Sequence, residues 1–223
     1  MIILIRHGEA THHTEHLTGG WTDSLLTEKG REQMQALAKK LAVDFAGKEI
    51  DFRILASNLK RAAESADIIA TALGKTGQVE YTSYLKEKNN GLAAGMTEDE
   101  AKKYFRKPAS DAEIHHRNYP GGETRHEFYL RNTTGLWNAC DMENENLIIV
   151  AHKGTVQNII FRWLGMDMVK VVELNLSVDI APASITILGH NKWNEHCIFR
   201  LNDVSHLNQD AGFGVFAFKY KKK

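Results

Sequence analysis

A chain of 223 residues, 28 of them basic and 28 acidic, is long enough to bury a large core in a single domain. Its cancelled charge argues against a nucleic-acid or anionic-membrane surface. The N-terminal apolar run is five residues, too short for a signal-peptide core, and no stretch approaches the ~18 apolar residues of a membrane span, so a soluble cytoplasmic protein is expected. Cys140 and Cys197 lack metal or redox spacing and are expected as reduced thiols, and no block of like charge is longer than three residues, as in the Lys221-Lys222-Lys223 end.

Residues 1–6 read as a strand buried on both faces, because the apolar run Met1 to Ile5 is continuous rather than alternating. Thr27-Glu28-Lys29-Gly30 opens a helix whose Met34, Leu37, Leu41 and Phe45 recur at spacings of three and four, one apolar stripe. A second strand, Phe52 to Ala56, ends at Ser57-Asn58. It leads into a helix carrying Leu59, Ala62, Ala63, Ala66, Ala70 and Leu73 and closed by Gly74. Residues 85–122 are irregular and glycine-bearing and read as a lid or insertion, and a helix from about Glu123 to Ala139 follows. Asn146 to Ala151 is a third apolar strand, followed by a helix from Gly154 to Leu164 that Gly165 stops. Beyond Pro182, Ser184 to Leu188 and Cys197 to Leu201 read as strands flanking an Asn191-Lys192 turn, with the last residues loosely held. Strands alternating with helices predict an α/β domain, a three-layer α/β/α sandwich around a mainly parallel mixed sheet spanning 1–223.

In such sheets ligands bind beyond the carboxyl ends of the strands. Arg6-His7 follows the first strand, Arg61 lies one turn past the second, and His152 follows the third. Two guanidinium forks and two imidazoles at helix N-termini suit a tetrahedral dianion, above all a phosphoryl group. A neutral imidazole whose other nitrogen is held protonated by a backbone carbonyl can attack phosphorus, and His7, beside Gly8, is the candidate nucleophile. The leaving alkoxide needs a proton donor that later accepts one from water. A carboxyl near the phosphate would have its pKa raised towards that task, and Glu87 is preferred to Glu9. Trp21 is placed at the pocket mouth, Thr124 as a helix cap, and His115-His116 as an exposed pair.

The blocks RHGE at 6–9, GGWTDSLLTEKG at 19–30, SNLKRAAESA at 57–66, LKEKNNGLAAG at 85–95, PGGET at 120–124 and VAHKGT at 150–155 resemble, in order, those of the histidine phosphatase superfamily, phosphoglycerate mutase-like branch. The resemblance implies that branch's fold, a phosphohistidine on His7, Glu87 as proton donor and acceptor, and Arg6, Arg61 and His152 as a phosphate clamp. It also implies no metal and no other cofactor. His13 stands where the family's mutases typically carry Asn, and it is expected to donate to phosphate in place of the amide. Backbone N–H groups of Gly19 and Gly20, with Asn90, Lys153 and Gly154, complete the candidate substrate-binding set. Lys153 departs from the family's usual small residue.

The expected activity is therefore a metal-independent phosphomonoesterase acting on small phosphorylated metabolites, in line with a resemblance to the broad-specificity phosphatases of that branch. A phosphoglycerate mutase is the alternative, although Arg106-Lys107 and Arg117 do not reproduce the mutases' Lys and paired Arg. An inactive phospho-ligand binding module is a second alternative. A zinc enzyme built on His12, His13 and His16 is disfavoured, because their spacing matches no zinc signature. The partner expected is a small phosphorylated substrate, with neither nucleic acid nor membrane, and a homodimer is compatible with the sequence.

Overall fold

The computed structural model describes residues 1–110 and 112–207; the lysine run 221–223 and the expected loose end lie outside the described residues. Its strands are β1 (Ile2–Arg6), β2 (Arg53–Ser57), β3 (Val79–Thr82), β4 (Leu147–Ala151), β5 (Ile185–His190) and β6 (His196–Asp203). Its helices are α1 (Thr11–Thr14), α2 (Glu28–Phe45), α3 (Lys60–Ala72), α4 (Glu98–Lys102), α5 (Arg125–Ala139), α6 (Lys153–Trp163) and α7 (Met168–Glu173).

The six strands form one sheet in the order β3-β2-β4-β1-β5-β6. β3, β2, β4 and β1 run parallel, and β5 and β6 are antiparallel additions at one side. The continuous apolar runs of β1, β2 and β4 follow from this placement, because each face of these strands meets a different helix layer. Ile3, Ile5, Ile54, Ala56, Ile148 and Val150 pack with Met34 and Leu37 of α2 and Ile69 of α3. Ile2, Leu4, Leu55, Leu147 and Ile149, on the opposite face, pack with Leu136 of α5 and Val156, Ile159 and Trp163 of α6. The protein is thus an α/β/α sandwich with a mixed, mainly parallel sheet, as the sequence predicts.

Several boundaries differ by a residue or two, and each has a local cause. The helix expected from Glu123 begins at Arg125, because the Thr124 hydroxyl accepts the Glu127 N–H and takes the N-cap, while the Glu127 carboxylate accepts the Thr124 N–H. α6 starts at Lys153, with His152 as its N-cap. The segment 85–122 is not wholly irregular: it holds a 3₁₀ turn at Gly91–Ala93 and α4, which Thr97 and Glu100 close in a capping box. The edge strand β3 was not anticipated. It is four residues long with Glu80 and Tyr81 exposed, so it carries no apolar run to announce it. Cys140 and Cys197 are free thiols. No helix among the described residues is long and apolar enough to cross a membrane.

Candidate active site

β1, β2 and β4 end side by side, and their parallel register carries the side chains that follow them to one rim of the sheet. His7 extends β1 by one residue and remains in the ladder, its N–H donating to the Ala151 carbonyl at 3.0 Å. Glu9 is drawn the other way. It accepts from Thr27 Oγ1 at 2.9 Å and Lys29 Nζ at 3.0 Å, so it is committed to the start of α2. Gly30 makes that approach feasible, since a Cβ there would lie 2.0 Å from the Glu9 carbonyl oxygen.

His7 is buried, and its Nδ1–H donates to the Gly8 carbonyl at 2.7 Å. This contact fixes the tautomer, leaving the lone pair on Nε2. Arg61 Nε donates towards Nε2 at 3.3 Å, and the His152 ring lies 5.1 Å away. Burial first, then Arg61, His152 and Arg6, hold the His7 pKa well below its usual value, and burial with Arg61 and Arg6 does the same for His152. Both rings are therefore neutral at pH 7.

Arg61, 1% exposed, is anchored by donation to the Thr22 carbonyl at 2.6 Å, the Gly20 carbonyl at 2.8 Å and Ser24 Oγ at 3.4 Å. Desolvation lowers its pKa to about 10, so it stays charged at pH 7. Arg6 donates from Nη1 to the Ile180 carbonyl at 2.6 Å, while its buried Nε has no partner among the described residues. His152 Nε2 lies 2.8 Å from Ser57 Oγ, which also accepts the Leu59 N–H. With the serine proton given to Nε2, the imidazole proton sits on the buried Nδ1, which has no partner among the described residues.

His13 shows a donor excess. The Ala10 N–H points at its Nδ1 at 3.1 Å and Arg6 Nη2 at its Nε2 at 2.9 Å. A neutral imidazole has only one acceptor nitrogen, and burial together with Arg6 and Arg61 lowers the His13 pKa to about 4. One contact is thus N–H against N–H, the situation an anion accepting from both groups relieves. His12, 4.0 Å from the His13 ring, is engaged with Ser24 Oγ at 2.7 Å.

Glu87 lies in the turn beyond β3. Its Oε2 accepts the Gly154 N–H at 2.9 Å and its Oε1 the Lys88 N–H at 2.8 Å, which seats the carboxylate on the first turn of α6, two residues from His152. Its backbone carbonyl accepts from Trp21 Nε1 at 2.7 Å and Arg131 Nη2 at 3.0 Å. Trp21 thus braces the pocket mouth, as expected.

The five residues predicted as catalytic converge here, whereas the substrate-binding candidates divide. His13 faces Arg6. Gly20 turns its carbonyl to Arg61, so that group braces the clamp rather than a ligand. Gly154 spends its N–H on Glu87, and Lys153 pairs with Asp179 at the exposed rim. Gly19 lies against His12, and Asn90 lies against Gly20. Asn90 also lines a cavity of about 240 Å³ with Lys88, Phe105, Asn118, Tyr119 and Glu123. Sequence reasoning missed Ser24 and Ser57, which orient His12, Arg61 and His152. It also missed Arg131, which binds the carbonyls of Ser83, Tyr84, Lys86 and Glu87 from α5. Ser24 and Ser57 lie inside motif blocks, but Arg131 carries no sequence signal beyond its charge.

The sequence pattern of the histidine phosphatase superfamily (branch 1) matches residues 2–203. A phosphoglycerate mutase-like protein of Arabidopsis thaliana is 32% identical, over 96% of this chain and 91% of its own length. A broad-specificity phosphatase of Saccharomyces cerevisiae is 30% identical over 96% and 90%. Among solved structures, a phosphoglycerate mutase from Bacillus anthracis superposes with a TM-score of 0.71 at 21% identity, over 92% of this chain and 93% of its own, a likeness of fold.

Proposed function

As the chain belongs to the histidine phosphatase superfamily, whose members are phosphatases or mutases, we propose that it is a metal-independent phosphomonoesterase of small phosphorylated metabolites. The observation that carries this reading is His7: a neutral ring, its Nδ1–H fixed on the Gly8 carbonyl, its Nε2 lone pair beside Arg61 and His152.

The phosphoryl group docks among Arg6, Arg61, His13 and the Nδ1–H of His152, and Arg61 Nε exchanges the His7 lone pair for a phosphate oxygen. His7 Nε2 attacks phosphorus in line as the bond to the leaving oxygen breaks. The Glu87 carboxyl gives that oxygen its proton, leaving a phosphohistidine and an alcohol. Water then gives its proton to the Glu87 carboxylate while its oxygen attacks phosphorus, breaking the bond to Nε2 and releasing phosphate. The spread charge of the transferring group is met by guanidinium and imidazole donors already held in place. The segment 85–122 serves as the lid that sets specificity.

Hydrolysis is favoured over mutase transfer because Arg117, an available cation for a substrate carboxylate, is engaged by the Glu127 carboxylate and the Gly122 carbonyl. Intact-mass measurement after rapid quench with p-nitrophenyl phosphate tests the intermediate: a phospho-adduct is expected in the parent and none in His7→Ala. An adduct that persists in the variant overturns the assignment. With 3-phosphoglycerate, free phosphate supports a phosphatase, and primer-dependent 2-phosphoglycerate identifies a mutase.

A further inference from the structure

At the opposite end of the sheet from His7 and His152, three side chains that the phosphatase reading does not use come together. His190 closes β5 and His196 opens β6, and the two are directly opposed across the antiparallel ladder, which puts their side chains on one face. Glu143, from the loop before β4, reaches both: its Oε2 lies 2.8 Å from His190 Nε2 and its Oε1 3.2 Å from His196 Nε2. One ligand atom from each residue lies within 4.8 Å of the other two.

The proton arithmetic of His196 is unusual. Its Nδ1–H donates to the Trp163 carbonyl at 2.6 Å, and its ring stacks on the Trp163 indole at 4.0 Å. The neutral ring therefore directs its Nε2 lone pair at a carboxylate whose two oxygens lie 3.2 and 3.3 Å away. Two acceptors face one another, a repulsion that a cation between them relieves: either a second proton on the imidazole or a metal ion. An Nδ1–H held by a backbone carbonyl is the outer partner that metal-ligating histidines usually have, because it fixes both tautomer and ring orientation.

The supporting backbone is hydrogen-bonded on both sides of the cluster. Asn191 pins the β5–β6 turn, its Oδ1 accepting the N–H groups of Trp193 and Glu195 at 2.9 and 3.0 Å. Asp141 Oδ1 accepts the Glu143 N–H at 3.1 Å. Tetrahedral zinc with ligands at about 2.0–2.1 Å sets them about 3.4 Å apart, so the observed 2.8 and 3.2 Å separations open by about 0.6 and 0.2 Å and the two imidazole nitrogens, within 4.8 Å of each other, draw in towards the same spacing.

We propose that Glu143, His190 and His196 form a binding site for a divalent transition metal of the zinc type, its fourth position taken by water. The ion ties the edge hairpin β5–β6 to the loop before β4 and takes no part in phosphoryl transfer.

Zinc titration by calorimetry of the chelator-stripped full chain tests this, with cobalt(II) absorption and thermal unfolding as further readouts. Expected are one zinc per chain, the visible absorption of tetrahedral cobalt, and a Tm raised by zinc. Glu143→Gln, His190→Gln and His196→Gln should each weaken zinc binding by at least the roughly 10–100-fold that losing an outer partner alone costs. Glu143→Gln, a change on an exposed loop, keeps the test valid if a histidine variant misfolds. Because the catalytic pocket also gathers imidazoles, His7→Ala is the control: binding should survive it. Zinc binding that is lost in His7→Ala and retained in the other three variants overturns the proposal. So does a parent that binds zinc no better than those variants, which leaves a protonated His–Glu ion pair only.

Discussion

Arg131→Ala tests whether the proton donor is held in place from α5. The Arg131 guanidinium donates to the carbonyls of Ser83, Tyr84, Lys86 and Glu87 at 3.0–3.2 Å, and to both oxygens of Glu123 at 2.6 and 2.8 Å. With side chains 22% and 16% exposed, removal of Arg131 strands a largely buried carboxylate, at the low end of the ~3–5 kcal/mol for breaking a buried pair. A loss of about 3 kcal/mol in a chain of this size corresponds to a fall of about 6–12 °C in Tm. The loop that presents Glu87 is freed as well, and a displacement of about 1 Å at a catalytic group costs about 10² in rate. The loss should depend on the leaving group. Nitrophenolate departs with little need of a proton, whereas an alkoxide requires one, so kcat/KM for an alkyl phosphate should fall further than that for p-nitrophenyl phosphate. Steady-state assays of both substrates below the variant's Tm measure this ratio, and Arg131→Lys should recover part of it. If both substrates lose rate by the same factor, or neither loses more than about twofold, Arg131 is a stability residue and does not position Glu87.

The contact between α6 and Glu87 predicts that Gly154→Ala misplaces the carboxylate, since the added Cβ would stand 2.5 Å from Glu87 Oε1 and 2.9 Å from Phe128 Cε1. Crowding against the buried Phe128 costs about 1–3 kcal/mol, so Tm should fall by several degrees and, assayed below it, kcat/KM for an alkyl phosphate should fall at least about tenfold; a parent-like rate refutes the seating of Glu87 on that turn. The buried neutral histidines predict acid lability. His7 and His152 have pKa values well below the usual 6.5, so as pH falls past 6.5 the unfolded chain takes up protons that the folded chain refuses. Stability is complete above that pH and declines below it, by at most about 1.4 kcal/mol per pH unit for each ring. Urea midpoints at pH 7 and pH 5 should show the decline, with a shallower slope in His152→Asn; equal midpoints would contradict it.

Wherever pattern is local, the sequence by itself determined the outcome. The apolar runs of β1, β2 and β4, the helical stripe of α2 and the charged residues just past strand ends are periodicities within a few residues. They were sufficient to predict a parallel sheet with Arg6, His7, Arg61 and His152 at one rim. Even the tautomer of His7 is local, because the accepting carbonyl belongs to Gly8, the next residue. The tertiary structure alone decided the supports. Ser57 reaches His152 across 95 positions, and Glu87 is seated by an N–H 67 positions away. β3 pairs as an edge strand although its own composition does not announce one, the Gly20 carbonyl braces Arg61, and the N–H of Gly154, a substrate-binding candidate, seats Glu87. Glu143, His190 and His196 meet only because β5 turns back antiparallel beside β1. Hydrogen-bond partners that depend on how separate elements pack leave no trace in the spacing of either element, so folding alone brings them together.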